Sequence, residues 1–332
     1  MGITLAKPET ETTSRWARAL AVIRDNPSIV LIYGIIILIC VTAAVFNPVF
    51  RTPSNVMNIL RQSIVIGLIA IGQSMVVLTG GADMSVAMIA RVVGLTVATI
   101  FLATDSSNSF IIPLVMLGIG IGIVLGCLNG LLVTETHANA FIITFGVANI
   151  LRGVNLAISS TPIRGVPDAY LNIYDAKLGI VPISVILMGL VWLAAWIFTT
   201  RSRLGRSLFA VGGSERVARL SALRVNRTLL TAFIISATFA ALAGLFLLSR
   251  TGVGDPNAAD GMDFQSIVAV ALGGISLYGG KGSLLGTLGG VLLLVILANV
   301  FNMLQVDIYY QQLLLGLVVL IAVAAYKSPR SA

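Results

Sequence analysis

Residues 254–326 read GDPNAADGMDFQSIVAVALGGISLYGGKGSLLGTLGGVLLLVILANVFNMLQVDIYYQQLLLGLVVLIAVAAY. A polar Gly/Asp turn leads into three apolar runs. They are separated by a Gly279-Gly280-Lys281-Gly282 hinge and a short Gln305-Val306-Asp307 loop. Long uncharged runs joined by minimal turns predict helices crossing a hydrocarbon core about 30 Å thick. The runs are continuous rather than alternating, which argues against a transmembrane β-barrel.

The rest of the chain extends the pattern. Of its 332 residues 57% are hydrophobic and only 10% are charged, too little charge to cover a water-soluble surface. The fold class is therefore an all-α polytopic membrane protein. A coarse reading gives ten spans: about 28–46, 63–79, 85–103, 110–133, 139–159, 179–199, 229–249, 265–278, 284–300 and 309–326. The eighth is too short to cross straight, so eight or nine spans stay open. Residues 28–326 form a single transmembrane domain between an amino tail, 1–27, and a carboxyl tail, 327–332. No soluble domain remains, so any energy-using chemistry belongs to another chain.

Charge fixes the expected orientation. The loop 200–228 carries Arg201, Arg203, Arg206, Arg216, Arg219, Arg224 and Arg227 against Glu215 alone. The excess of cytoplasmic Lys and Arg in membrane proteins places this loop and both termini inside. The loop 250–264, with Asp255, Asp260 and Asp263, falls outside. The net charge of +8 thus reads as a topology signal and not as a nucleic-acid surface. Cys40 and Cys127 sit inside expected spans as small packing residues, and no disulfide is implied. Asn129 and Asn299 are read as ending the fourth and ninth spans. That echo suggests two inverted five-helix repeats, an arrangement that places a substrate route at the repeat interface.

Several motifs admit a functional and a structural reading. Gly80-Gly81-Ala82-Asp83-Met84-Ser85-Val86 permits a backbone break with Asp83 at a helix amino end. The structural reading makes Asp83 the N-cap of the third span. Arg91, two turns on, either lines a route, paired with Asp83, or snorkels back to the cytoplasmic interface. Gly118, Gly122, Gly126 and Gly130 put four glycines on one helix face, a packing seam. Thr144 offers a hydroxyl to a solute or to its own helix backbone. In the basic loop, residues 204–221 alternate glycines with a helix-forming stretch. Val217, Leu220 and Ser221 share a face there, for a partner's cleft or for anionic lipid. Gly279-Gly280-Lys281-Gly282-Ser283 is not a phosphate loop, because Gly282 separates Lys281 from Ser283. No metal cluster, nucleophile triad or acid pair is legible, so neither an enzyme nor a cofactor is expected.

These residues resemble one family, the bacterial sugar-type ABC transporter permeases. Gly80-Gly81-Ala82-Asp83-Met84-Ser85 is similar to its Gly-Gly-Ile-Asp-Leu-Ser signature, and Phe141-to-Gly146 with Arg152-Gly153 to its Thr-Leu-Gly and Arg-Gly stretch. Residues 204–221 are similar to its coupling region, and the likeness is strong from Asp255 to Tyr278 and through the Gly-Gly-Lys-Gly turn. Arg91 departs from the uncharged residue usual in the family. The resemblance implies a permease subunit for a monosaccharide or a related small polar solute in the bacterial inner membrane. It pairs with a second copy or homologue, cytoplasmic ATP-binding subunits and an extracytoplasmic sugar-binding protein. Asp83, Ser85, Arg91, Thr144, Asn129 and Asn299 are then expected along the substrate route. Gly205, Arg206, Gly212, Gly213, Glu215, Arg216, Val217, Arg219 and Leu220 are expected to couple to the ATPase. The alternative is an ion-gradient carrier using Asp83 and Arg91 as its titratable pair.

Overall fold

The computed structural model describes residues 27–307, 309–314 and 316–317. Its helices are α1 (Pro27–Phe46), α2 (Pro53–Leu78), α3 (Val86–Ala103), α4 (Ile111–Thr136), α5 (Ala140–Ile158) and α6 (Asp168–Asp175). They continue as α7 (Ile183–Arg201), α8 (Arg203–Gly213), α9 (Glu215–Leu220), α10 (Val225–Thr251), α11 (Met262–Leu272) and α12 (Leu284–Met303). A small antiparallel hairpin pairs β1 (Lys177–Leu178) with β2 (Val181–Pro182), Lys177 facing Pro182. Among the described residues eight helices are long and apolar enough to cross a membrane. The chain is an all-α multi-pass membrane protein.

Local sequence sets the helix ends. Pro53 occupies the first turn of α2, and the Thr52 hydroxyl accepts from Asn55 N at 3.3 Å. Ser283 caps α12 by accepting from Leu285 N at 3.2 Å. α2 and α3 form the centre: α2 is buried without interruption from Ser63 to Leu78. α10 packs against α2, α3 and α4. Its contact with α4 is the glycine seam, where a Cβ on Gly122 would lie 2.6 Å from Ala241 Cβ and one on Gly126 2.7 Å from Ile234 Cα. The packing reading of that seam holds. α1, α5 and α7 turn Leu38, Ile142, Ile150, Leu187 and Leu190 outward, the kind of surface that hydrocarbon covers in a membrane protein.

The bundle has two ends. At one end the α2–α3 turn meets the start of α5, the end of α8 and the turn before α12. At the other, Ile163 pairs with Gly254, and Ser106 Oγ donates to Gly165 O. Tyr170, on the cap formed by α6, donates its hydroxyl to Leu245 O at 2.8 Å, and burial pushes its phenol above the usual range.

Some expectations need correction. The eighth apolar run forms a helix only over Met262–Leu272, eleven residues and too short to cross alone. It stops because Gly273 packs on the α12 backbone at Gly286 and Gly274 turns the chain at φ +85°. Residues 309–314 and 316–317 are helical, and the remainder of the expected tenth span lies outside the described residues, as do the tails apart from Pro27. Asn129 does not end its helix, since α4 continues to Thr136, and α12 runs past Asn299 to Met303.

Candidate functional site

α2 ends at Leu78, and Gly80, at φ +87°, reverses the chain. A side chain at that φ would be strained. The reversal folds residues 81–85 back along α2, so that the Gln73 amide brackets the Asp83 peptide. With its nitrogen toward Asp83 O (3.1 Å) and its oxygen toward Asp83 N (3.2 Å), both groups are satisfied. Asp83 Oδ1 accepts from Ser85 N at 3.0 Å and Ser85 Oγ at 2.6 Å, while Oδ2 accepts from Ser236 Oγ at 2.9 Å. Asn129 Nδ2 donates to Ser85 Oγ at 2.7 Å. Thr144 Oγ1 accepts from Met84 N at 2.9 Å and has Ala140 O at 2.8 Å as acceptor for its own hydrogen.

Gln73, Asp83, Ser85, Asn129, Thr144 and Ser236 are all fully buried. The sequence-predicted residues Asp83, Ser85, Asn129 and Thr144 thus come together, but as a sealed knot tying the α2–α3 turn to α2, α4, α5 and α10. Asp83 is not the N-cap of α3. Ser85 holds that position without a side-chain cap bond, and Asp83 grips Ser85 from two residues upstream.

Arg91 and Asn299 lie elsewhere. Arg91 does not pair with Asp83, nor does it return to the end that carries the basic loop. Its Nε donates to Ala258 O at 2.7 Å and its Nη2 to Asp260 Oδ1 at 3.1 Å, on the loop between α10 and α11. Its side chain is 3% exposed, whereas that of Asp260 is 79% exposed. Asn155 holds the same loop by donating to Pro256 O at 2.9 Å. Asn299 exchanges amide bonds with Asn55, 2.9 Å and 3.2 Å, joining α12 to the start of α2.

The basic loop folds into two short helices. Ser202 starts α8 by accepting from Gly205 N at 2.8 Å, and Ser214 starts α9 by accepting from Val217 N at 3.3 Å. Gly205 packs on the α7 backbone at Phe198 and Thr199. In α9, Ala218 is buried against Val211 and Val225, which leaves Val217 59% and Leu220 80% exposed. Arg206 donates to Arg201 O, and Arg219 Nη2 pairs with Glu215 at 2.6 Å.

Where α8 ends, its last turn meets two glycine turns backbone to backbone. A Cβ on Gly212 would collide with Leu78 O and lie 2.6 Å from Gly280 N; one on Gly279 would lie 2.6 Å from Gly80 N. Gly280 N donates to Leu78 O at 2.9 Å across the junction. A Cβ on Gly213, one residue on, would face open space, although the Gly213 backbone lies against Gly280. Sequence reasoning named each glycine pair separately and missed that they converge. It also missed Gln73 and Ser236, and it read Asp260 only as part of an acidic loop and not as the partner of Arg91. A lone polar residue inside an apolar run, as at Gln73, was the available signal.

Fold and geometry together define a multi-pass helical membrane protein with a basic, helical loop exposed at one end. The chain matches over residues 55–323 the family model described as the branched-chain amino acid transport system / permease component, and it belongs to that family. Together with the sugar-import relatives that follow, this match bears out the resemblance carried by the motifs. Among curated relatives, the ribose import permease protein of Bacillus subtilis is 37% identical, covering 87% of this chain and 89% of the relative. The D-allose transport system permease protein of Escherichia coli is 35% identical (88% and 90%), and the ribose import permease protein of Haemophilus influenzae 34% (88% and 90%). No solved structure matches the chain.

Proposed function

We propose that the chain is the membrane subunit of an ATP-driven importer for a monosaccharide or a closely related polar solute. It would reside in a bacterial inner membrane with both termini and the 200–228 loop in the cytoplasm. Relatives whose names specify ribose, allose and fructose support the substrate class. In this reading a second copy or homologue completes the route, an extracytoplasmic binding protein delivers the solute, and separate subunits hydrolyse ATP.

The observation that carries the coupling is α9. Its apolar residues Val217 and Leu220 are exposed, they sit beside Arg216, and α8 leads from α9 to the glycine junction through the single residue Ser214. An amphipathic helix of this kind fits a groove on a cytoplasmic partner. Movement imposed on α8 would pass through Gly212 to Leu78 and Gly280, and so to both interrupted segments, 79–85 and 273–283. The gradient-driven alternative requires a coupled titratable pair, and Asp83 and Arg91 are bonded to different partners.

The test is purification of the native complex in mild detergent, comparing the wild type with Val217→Asp/Leu220→Asp. A stoichiometric ATPase in the wild type, lost in the double variant, supports the reading. Absence of an ATPase from both, with uptake that survives ATP depletion but not collapse of the proton gradient, would establish the carrier instead.

A further inference from the structure

The sealed Asp83 knot leaves the solute's path to be found elsewhere. A cleft of about 800 Å³ opens between α11, α12 and the helical residues after Tyr309. It lies within the range of about 300–1,000 Å³ usual for small-molecule sites. Its polar groups are Asp260 and the amides of Gln265 and Gln312; Phe264 contributes an aromatic ring, and Leu294 and Leu317 apolar wall.

Most of the lining is apolar, and two features argue that the end of the cleft around Asp260, Gln265 and Gln312 holds water and not lipid. Two amides and a carboxylate facing hydrocarbon would each cost several kcal/mol. The carboxylate, moreover, is positioned: the sequestered Arg91 guanidinium holds Asp260 Oδ1 while the rest of that side chain stays open. A buried cation held in place by Ala258 O and aimed at one exposed carboxylate fixes where that carboxylate points.

We propose that this cleft is a polyol-binding station at the outer end of the route. Asp260 would accept from adjacent hydroxyls, Gln265 and Gln312 would exchange hydrogen bonds with the remainder, and Phe264 would cover the C–H face of a sugar ring. Arg91 is a positioning residue for Asp260. The assignment rests on the importer reading above and names the residues that the solute would meet.

The experiment uses the whole transporter in cells, with Cys40→Ala and Cys127→Ala removing the native thiols and Gln265→Cys or Gln312→Cys introduced singly. A membrane-impermeant maleimide is applied from outside, with and without D-ribose, D-allose or D-fructose. Labelling at both positions, slowed several-fold by the sugar that the wild type takes up, is the expected result. In parallel, Gln265→Leu and Gln312→Leu should each lower uptake about tenfold while ATP hydrolysis by the complex persists. Reaction only with a lipid-soluble maleimide would show a bilayer-facing cleft and overturn the proposal. So would disulfide formation between copies without labelling, or labelling indifferent to every sugar with uptake unchanged. Intact ATP-driven uptake in the wild type beside any of these results would sink the station alone and leave the importer standing.

Discussion

The two interrupted segments are built on opposite principles. Between α2 and α3 the chain is held by side chains: the Asp83 carboxylate gathers three donors, and Gln73, Asn129 and Thr144 bind the turn around it. Between α11 and α12 it is held by shape. There Gly273 rests on Gly286, Gly279 on Gly80 and Gly212, and Gly280 on Gly213, with the backbone bond from Ser276 N to Lys281 O closing the loop at 2.9 Å. The first fails when an atom is taken away, the second when one is added.

Asp83→Ala is the most severe way to break that contrast. It strips the acceptor from Ser85 N, Ser85 Oγ and Ser236 Oγ, each left unpaired at about 1–3 kcal/mol. We expect a loss of several kcal/mol, read as a collapse of folded yield and of Tm in detergent. Full stability in Asp83→Ala would mean that the knot does not hold the turn. Gly212→Ala should act by addition, because its methyl meets the Leu78 carbonyl while Gly213→Ala meets nothing. Uptake at a tenth or less of wild type for Gly212→Ala, beside near-normal uptake for Gly213→Ala, is the expected pair. Equal behaviour of the two would remove the junction from the mechanism. The smallest effect belongs to α9, where the half-exposed Glu215–Arg219 pair, an i,i+4 contact, contributes about 0.3–0.5 kcal/mol. Arg219→Ala should leave Tm within a few degrees, and a larger shift would reveal a structural role for α9 beyond docking.

Much of this architecture was legible in the chain. Apolar length located the crossing helices, Gly80-Gly81 the reversal, and the four-residue glycine spacing the α4 seam. Residue type alone could not decide what Arg91 touches. Asp260 lies 169 residues away, and Asp83, only two turns off, was the nearer candidate. Asp83 misled for a related reason. An acid after a glycine pair signals a cap from local spacing, whereas its third donor, Ser236, is 153 residues distant. Asn129 and Asn299 looked alike because both occur late in apolar runs, yet one enters the knot and the other pairs with Asn55. The eighth run showed its apolar character but not its early stop, which depends on the close approach of Gly273 to α12.

The loop from Gly252 to Gly261 has a consequence for encounter. Anchored by Arg91 from α3 and Asn155 from α5, it has already lost its conformational freedom when the chain folds. For the binding protein proposed above, that rim would add little ordering entropy to the cost of association, and the contact could be brief without being imprecise.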